Sequence, residues 1–170
     1  MSPRDAALLA SALSFVFSLL IAVWYVAPWL RSQGRAAALT VLLWFHAFRY
    51  VALELFSAQK AGLRIDDALR DGIAYGDLIG ALLALAAIVA LRYRFRWAVA
   101  LVWLFVAATI YDLSSALIGG VRRQLMAEVH DVPWLILCFY VSALWVTLGL
   151  IVWQLVTRSG EPMESSRLAA

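Results

Sequence analysis

The chain is poor in the residues from which most soluble chemistry is built. It has one cysteine, Cys138, which excludes an internal disulfide and any CxxC metal or redox motif. Its two histidines, His46 and His130, are too few for an all-protein zinc site to be expected. Charged residues make up 15% of the chain, where soluble domains carry about a quarter. The net charge of +3 is small, and the basic residues lie in loops between apolar stretches, so they read as topology signals and no nucleic-acid surface is expected. No nucleophile motif, phosphate-binding loop or internal repeat is present.

What is there is apolar. Hydrophobic residues form 65% of the 170 positions, and the mean hydropathy is +0.86. This composition predicts an all-α integral membrane protein of one domain. Five stretches reach the roughly 20 apolar residues that a helical span needs: about 6–30, 36–56, 73–91, 97–118 and 132–157. The first is too long for a signal peptide and ends in aromatics, so it reads as a retained helix. Trp29, Trp97 and Trp153 mark one surface and Trp134 the other, an aromatic-belt pattern. Trp24, Trp44, Trp103 and Trp145 lie away from the ends; core packing is expected of them in preference to a ring-lined cavity. Pro133 falls in the first turn of the fifth span, where a missing N–H costs little. The tail, 158–170, reads as disordered.

Two connections are short and basic, "RSQGR" and "RYRFR". With five spans they share a side with the C-terminus, and their charge density predicts a cytoplasmic C-terminus and an outside N-terminus. The opposite connections are longer and mixed in sign. "SAQKAGLRIDDALRDG" places Ala58, Ala61, Ile65, Ala68 and Leu69 on one helical face, with an Asp66–Arg70 pair on the other, which predicts a short surface helix. "VRRQLMAEVHD" is a candidate second cover.

The second span carries residues a bilayer tolerates poorly. His46 is at its centre, and Arg49, Tyr50 and Glu54 follow toward the long-loop side at i+3, i+4 and i+8, one stripe of an α-helix. Asp77 lies about one turn inside the third span on that side, and Asp112 lies beside Tyr111, Ser114 and Ser115 near the same end of the fourth. Asp112, Ser115 and Gly119 are also aligned. A charge near mid-membrane costs about 2.5–3.5 kcal/mol on insertion scales. Arg49 is therefore expected in the bundle interior, paired with Asp77, Asp112 or both. Gly76, Gly80, Ala84 and Ala87 or Ile88 form a small-residue face, expected to serve close helix packing.

"LLWFHAFRYVAL…AYGDLIGALLALAAIVALR" resembles a group of uncharacterised small multi-pass membrane proteins of bacteria, through His46, Phe48 and Arg49 and then Tyr75, Gly76 and Asp77. The resemblance implies a bacterial inner-membrane protein and supplies no function. "VWLFVAAT" and "VPWLILCFYVSALW" are similar to the fourth and fifth helices of the tryptophan-rich sensory protein (translocator protein) family, five-helix proteins that bind porphyrins and sterol-like ligands. Here "APWLRSQGR" stands in place of that family's proline- and tryptophan-rich first loop, and no binding residue carries over.

Three functions compete. The first is binding or transport of a small amphipathic or anionic ligand, with His46, Arg49, Tyr50, Glu54, Asp77, Tyr111, Asp112 and Ser115 lining the pocket. The second is a non-catalytic subunit or assembly factor, with a membrane-protein partner or a second copy of the chain. The third is an intramembrane enzyme using His46 with Glu54 or Asp112 as acid and base. No cofactor is specified, although a heme on His46 is conceivable.

Overall fold

The computed structural model describes residues 1–161. There is no strand among them, and five helices are long and apolar enough to cross a membrane: α1 (Pro3–Ser32), α2 (Arg35–Lys60), α3 (Asp67–Arg92), α4 (Ala98–Arg122) and α5 (Asp131–Thr157). Each runs past the apolar stretch expected for it, because polar residues at the ends can continue and cap a helix. At the start of α1, Ser2 Oγ accepts from Asp5 N–H and the Asp5 carboxylate accepts from Ser2 N–H, a capping box with Pro3 in the first turn.

The largest departure is at α3, which begins at Asp67 instead of 73, and the expected surface helix does not form. α2 continues to Lys60, the chain turns at Gly62 (φ 114°), and the Asp66 carboxylate accepts Leu69 N–H at 3.0 Å as the cap of α3. The Asp66–Arg70 pair does not form either, because a capping carboxylate points at the first-turn amides. Asp66 meets Arg123 at the end of α4, while Arg70 bonds Asp67, Asp71 and Gln59. The second long loop does form a one-turn helix, Leu125–Glu128. Of the tail, 158–161 form a turn, and 162–170 lie outside the described residues.

α3 lies between α2 and α4, α2 also packs on α5, and α1 docks on α5; α4 and α5 touch sparsely. Leu39, Leu43, Ala87, Phe105, Leu144 and Ile151 belong to the main core. A second, smaller core of Leu55, Ala58, Leu63, Ile65, Leu125 and Val129 covers the long-loop end. Small residues let α1 approach α5: Ser142 Oγ donates to Ser11 O at 3.1 Å, beside buried Ala7 and Cys138. Trp24, Trp44 and Trp103 are exposed on the outer surface, so they fill neither core nor cavity.

At the short-loop end two arginines bind helix ends together. Arg35, buried at the start of α2, donates to Leu155 O at 3.1 Å and Ser159 O at 3.4 Å. Arg158 donates to Leu30 O at 3.2 Å and Gln33 O at 2.8 Å. Carbonyls at a helix end have spare acceptor capacity, which each guanidinium uses.

Candidate functional site

The site begins with a change of helical pitch. α2 tightens to a 3₁₀ helix over Phe48–Leu53, where three residues complete a turn and i, i+3 positions eclipse. Tyr140 Oη donates to Phe45 O at 2.7 Å where the repeat changes. Arg49, Ala52 and Leu55 consequently share the buried face, and Tyr50 turns outward with 47% of its surface exposed. The stripe expected of His46, Arg49, Tyr50 and Glu54 is thereby broken. Glu54 is half-buried and makes no ion pair among the described residues.

Arg49 is 0% exposed, and its partners come from both neighbouring helices. Its Nε donates to Asp77 Oδ1 at 2.7 Å, one Nη to Thr109 Oγ1 at 3.1 Å, and the other Nη to Asp112 Oδ2 in a very short contact. The Nη atom on Asp112 is also 2.6 Å from Asp77 Oδ1. A guanidinium presents five N–H groups in a rigid fork, which lets one side chain serve α3 and α4 together. The expected pairing of Arg49 with both aspartates is present. Thr109 completes it; it lies three residues before Asp112 on the same face of α4.

The glycines of α3 make room for this cluster. A Cβ on Gly80 would lie 2.6 Å from an Arg49 Nη, and one on Gly76 would lie 1.8 Å from Asp112 Oδ1. The first two positions of the small-residue face therefore accommodate ionic side chains, a use beyond the close helix packing expected of them. Leaving out the alternating larger residues, what the spacing Gly76–Asp77–Gly80 encodes is a carboxylate flanked by clearance for its partners.

The remaining expected residues fall elsewhere. Tyr111 is 78% exposed, and Ser115 is exposed with its hydroxyl donating to Asp112 O at 2.8 Å. Gly119 packs against Leu69 and not toward Asp112. His46 is buried one turn from Arg49, its ring edge-on to Phe105 at 5.1 Å between centroids. Its Nε2 is 3.1 Å from Thr147 Oγ1, and that hydroxyl donates to Ala143 O at 2.9 Å. Thr147 thus accepts from Nε2–H, which leaves Nδ1 as the bare nitrogen, without a partner among the described residues.

Beside the ion cluster is a cavity of about 70 Å³ lined by Ile73, Asp77, Asp112, Leu113, Leu117 and Val121, with Leu125, Met126, Leu137 and Val141 completing it. Leu125 belongs to the second core and closes this cavity toward the long loops. A wider cavity of about 240 Å³ does open at the long-loop end, between Leu69, Gly72 and Ile73 of α3 and Ser115, Gly119 and Arg123 of α4, but neither Arg49 nor Asp77 nor Asp112 lines it. Leu117 and Val121, on the wall of the cavity beside the ion cluster, are themselves exposed on the outer face of α4, and α4 and α5 touch sparsely. A smaller cavity of about 30 Å³ shares Ile73, Asp77, Leu125, Leu137 and Val141. Arg49 and His46 line neither. The charged groups that reach these two cavities are the carboxylates, Asp77 in both and Asp112 in the larger.

Charge counting defines what this arrangement can hold. One guanidinium stands against two carboxylates. If both are ionised, one negative charge is left over, and it borders apolar walls. Residues 6–156 match the family model described as Domain of unknown function (DUF8737), and the chain belongs to that family. No curated protein and no solved structure matches it. The cluster joins three helices of one family domain, and its chemistry must be read from its own geometry.

Proposed function

We propose that the protein spans the bacterial cytoplasmic membrane five times, with the N-terminus outside, and binds a small amphipathic ligand through a cationic head at Asp77 and Asp112. The observation that carries this reading is the cavity between α3, α4 and α5, apolar except for these two carboxylates. An anionic ligand lacks an anchor, because every nitrogen of Arg49 is already hydrogen-bonded to protein. The cavity has room for roughly two water molecules, or one ammonium head. The apolar remainder of such a ligand would pass outward along Leu117 and Val121 into the lipid phase. His46 takes no part, since it contributes to neither cavity wall.

The test uses two ligands of equal chain and opposite charge. Full-length protein in neutral detergent is titrated with decylammonium or decanoate while thermal unfolding is followed. A ligand present at about 100 times its Kd stabilises by about 2.7 kcal/mol, a shift of several degrees. The account expects that shift with decylammonium alone, and its loss in Leu117→Trp, which fills the opening. Equal shifts with both ligands, or a shift with decanoate only, would refute it.

A further inference from the structure

The turn between α3 and α4 carries a feature that the cavity does not use. α3 ends in a Schellman motif: Phe95 N–H donates to Ala90 O at 3.0 Å and Arg94 N–H to Leu91 O at 3.2 Å. The left-handed position of this motif is normally glycine, and here it is Arg94 (φ 56°). The turn lays three aromatic rings in a row. Tyr93 stacks on Phe95 at 6.1 Å and 25°, and Phe95 stacks on Trp97 at 5.1 Å and 22°. All three rings are exposed, and so are Arg92 and Arg96, which alternate with them along the chain. Neither Arg92 nor Arg96 makes an ion pair among the described residues. At the same end Arg31 lies over Trp153, 5.3 Å from the ring centroid, and is itself exposed.

An exposed stack of three rings is poorly solvated in water. At the end of a bundle of apolar helices it suits the boundary between lipid chains and head groups, where aromatic side chains collect. Guanidiniums set between such rings meet the phosphate level, and Arg pairs with phosphate through two parallel hydrogen bonds. We infer that the 92–97 turn is a binding surface for anionic phospholipid, with the Tyr93–Phe95–Trp97 shelf seated among the upper chains and Arg92 and Arg96 on the lipid phosphate and its anionic head. The inference rests on the membrane reading above and is independent of the ligand cavity; failure of the decylammonium test leaves it intact.

The experiment counts lipid on the full-length protein. Protein in neutral detergent is equilibrated with equal amounts of phosphatidylglycerol and phosphatidylcholine, and the retained lipids are counted by native mass spectrometry, with inorganic phosphate as a separate competitor. Wild type should retain phosphatidylglycerol in preference, with the preference falling about fivefold for each arginine removed in Arg92→Gln and Arg96→Gln. Arg64→Gln, exposed at the opposite end, should leave it unchanged. Millimolar phosphate should not displace the lipid, because it lacks the chains that the shelf holds. Equal retention of the two lipids by wild type would overturn the proposal without any variant being needed. So would an undiminished preference in the Arg92→Gln/Arg96→Gln double variant, an equal loss in Arg64→Gln, or displacement by phosphate.

Discussion

Arg35 and Arg49 are buried guanidiniums fourteen residues apart on one helix, and they are neutralised by different means. Arg35 sits at a helix end and donates to the carbonyls of Leu155, in the last turn of α5, and Ser159, just beyond it. Such groups carry only partial charge, so the clamp leaves net positive charge at that end, where water is near. Arg49 sits within a helix, away from free carbonyls, and recruits two carboxylates and a hydroxyl from α3 and α4. The first arrangement ties helix ends together through the two Nη atoms, with Nε left without a partner among the described residues. The second sets two carboxylates against one guanidinium and leaves both on the wall of a cavity. Burial alone therefore does not mark a site; the difference lies in whether the partners of the buried charge are themselves left over.

Substitutions can break this contrast in order of expected effect. Arg49→Met leaves two carboxylates without their cation in an apolar interior and should cost on the order of 3–5 kcal/mol, seen as a large fall in Tm or failure to accumulate. Arg35→Met should cost less, about 1–3 kcal/mol, because the freed carbonyls lie at a helix end that water can reach. Equal losses would erase the distinction between the clamps.

The two carboxylates should also differ. Asp77 meets Arg49 at both Nε and Nη, whereas Asp112 meets it at one Nη. Asp77→Asn should therefore lose about 1.5–3 kcal/mol, the range for hydrogen bonds to charged groups. Asp112→Asn should lose less, because it gives up one contact with Arg49 where Asp77→Asn gives up two. The reverse order in urea or thermal unfolding would contradict this division of contacts between the two aspartates.

Glycine substitutions sharpen the steric half of the comparison. Gly80→Ala pushes a methyl group into the Arg49 guanidinium and should destabilise by about 1–3 kcal/mol. Gly72→Ala, eight residues earlier on the same helix, meets nothing within 4 Å and should stabilise by about 0.5–1 kcal/mol through helix propensity.

Much of this organisation was legible in the sequence, and what was not has identifiable causes. Five helices followed from length and hydropathy. Arg49 with Asp77 and Asp112 followed from matching depth, since a charged group at that level has few other ways to be neutralised. Tyr50 was misplaced because the helical phase was carried at 3.6 residues per turn through a segment that runs at three. Nothing in "FRYVAL" announces that tightening; it begins just after Phe45, whose carbonyl accepts from Tyr140, 95 residues away. Thr109 was within reach of the same spacing argument that found Asp112, but a lone threonine in an apolar helix gives no distinct signal. The glycines were seen as a small face; which side chains would use the space depended on the three-dimensional pairing of α2, α3 and α4.

The most direct measurement of the central claim compares two melting temperatures: that of Arg49→Met, and that of the neutral triple variant Arg49→Met/Asp77→Asn/Asp112→Asn. If the main loss in Arg49→Met comes from two carboxylates left without their cation, removing their charge should recover most of that stability, and the triple variant should melt well above the single one. A triple variant that melts at or below Arg49→Met would contradict the account, since the loss would then lie in the shape of the arginine and not in the charges it balances.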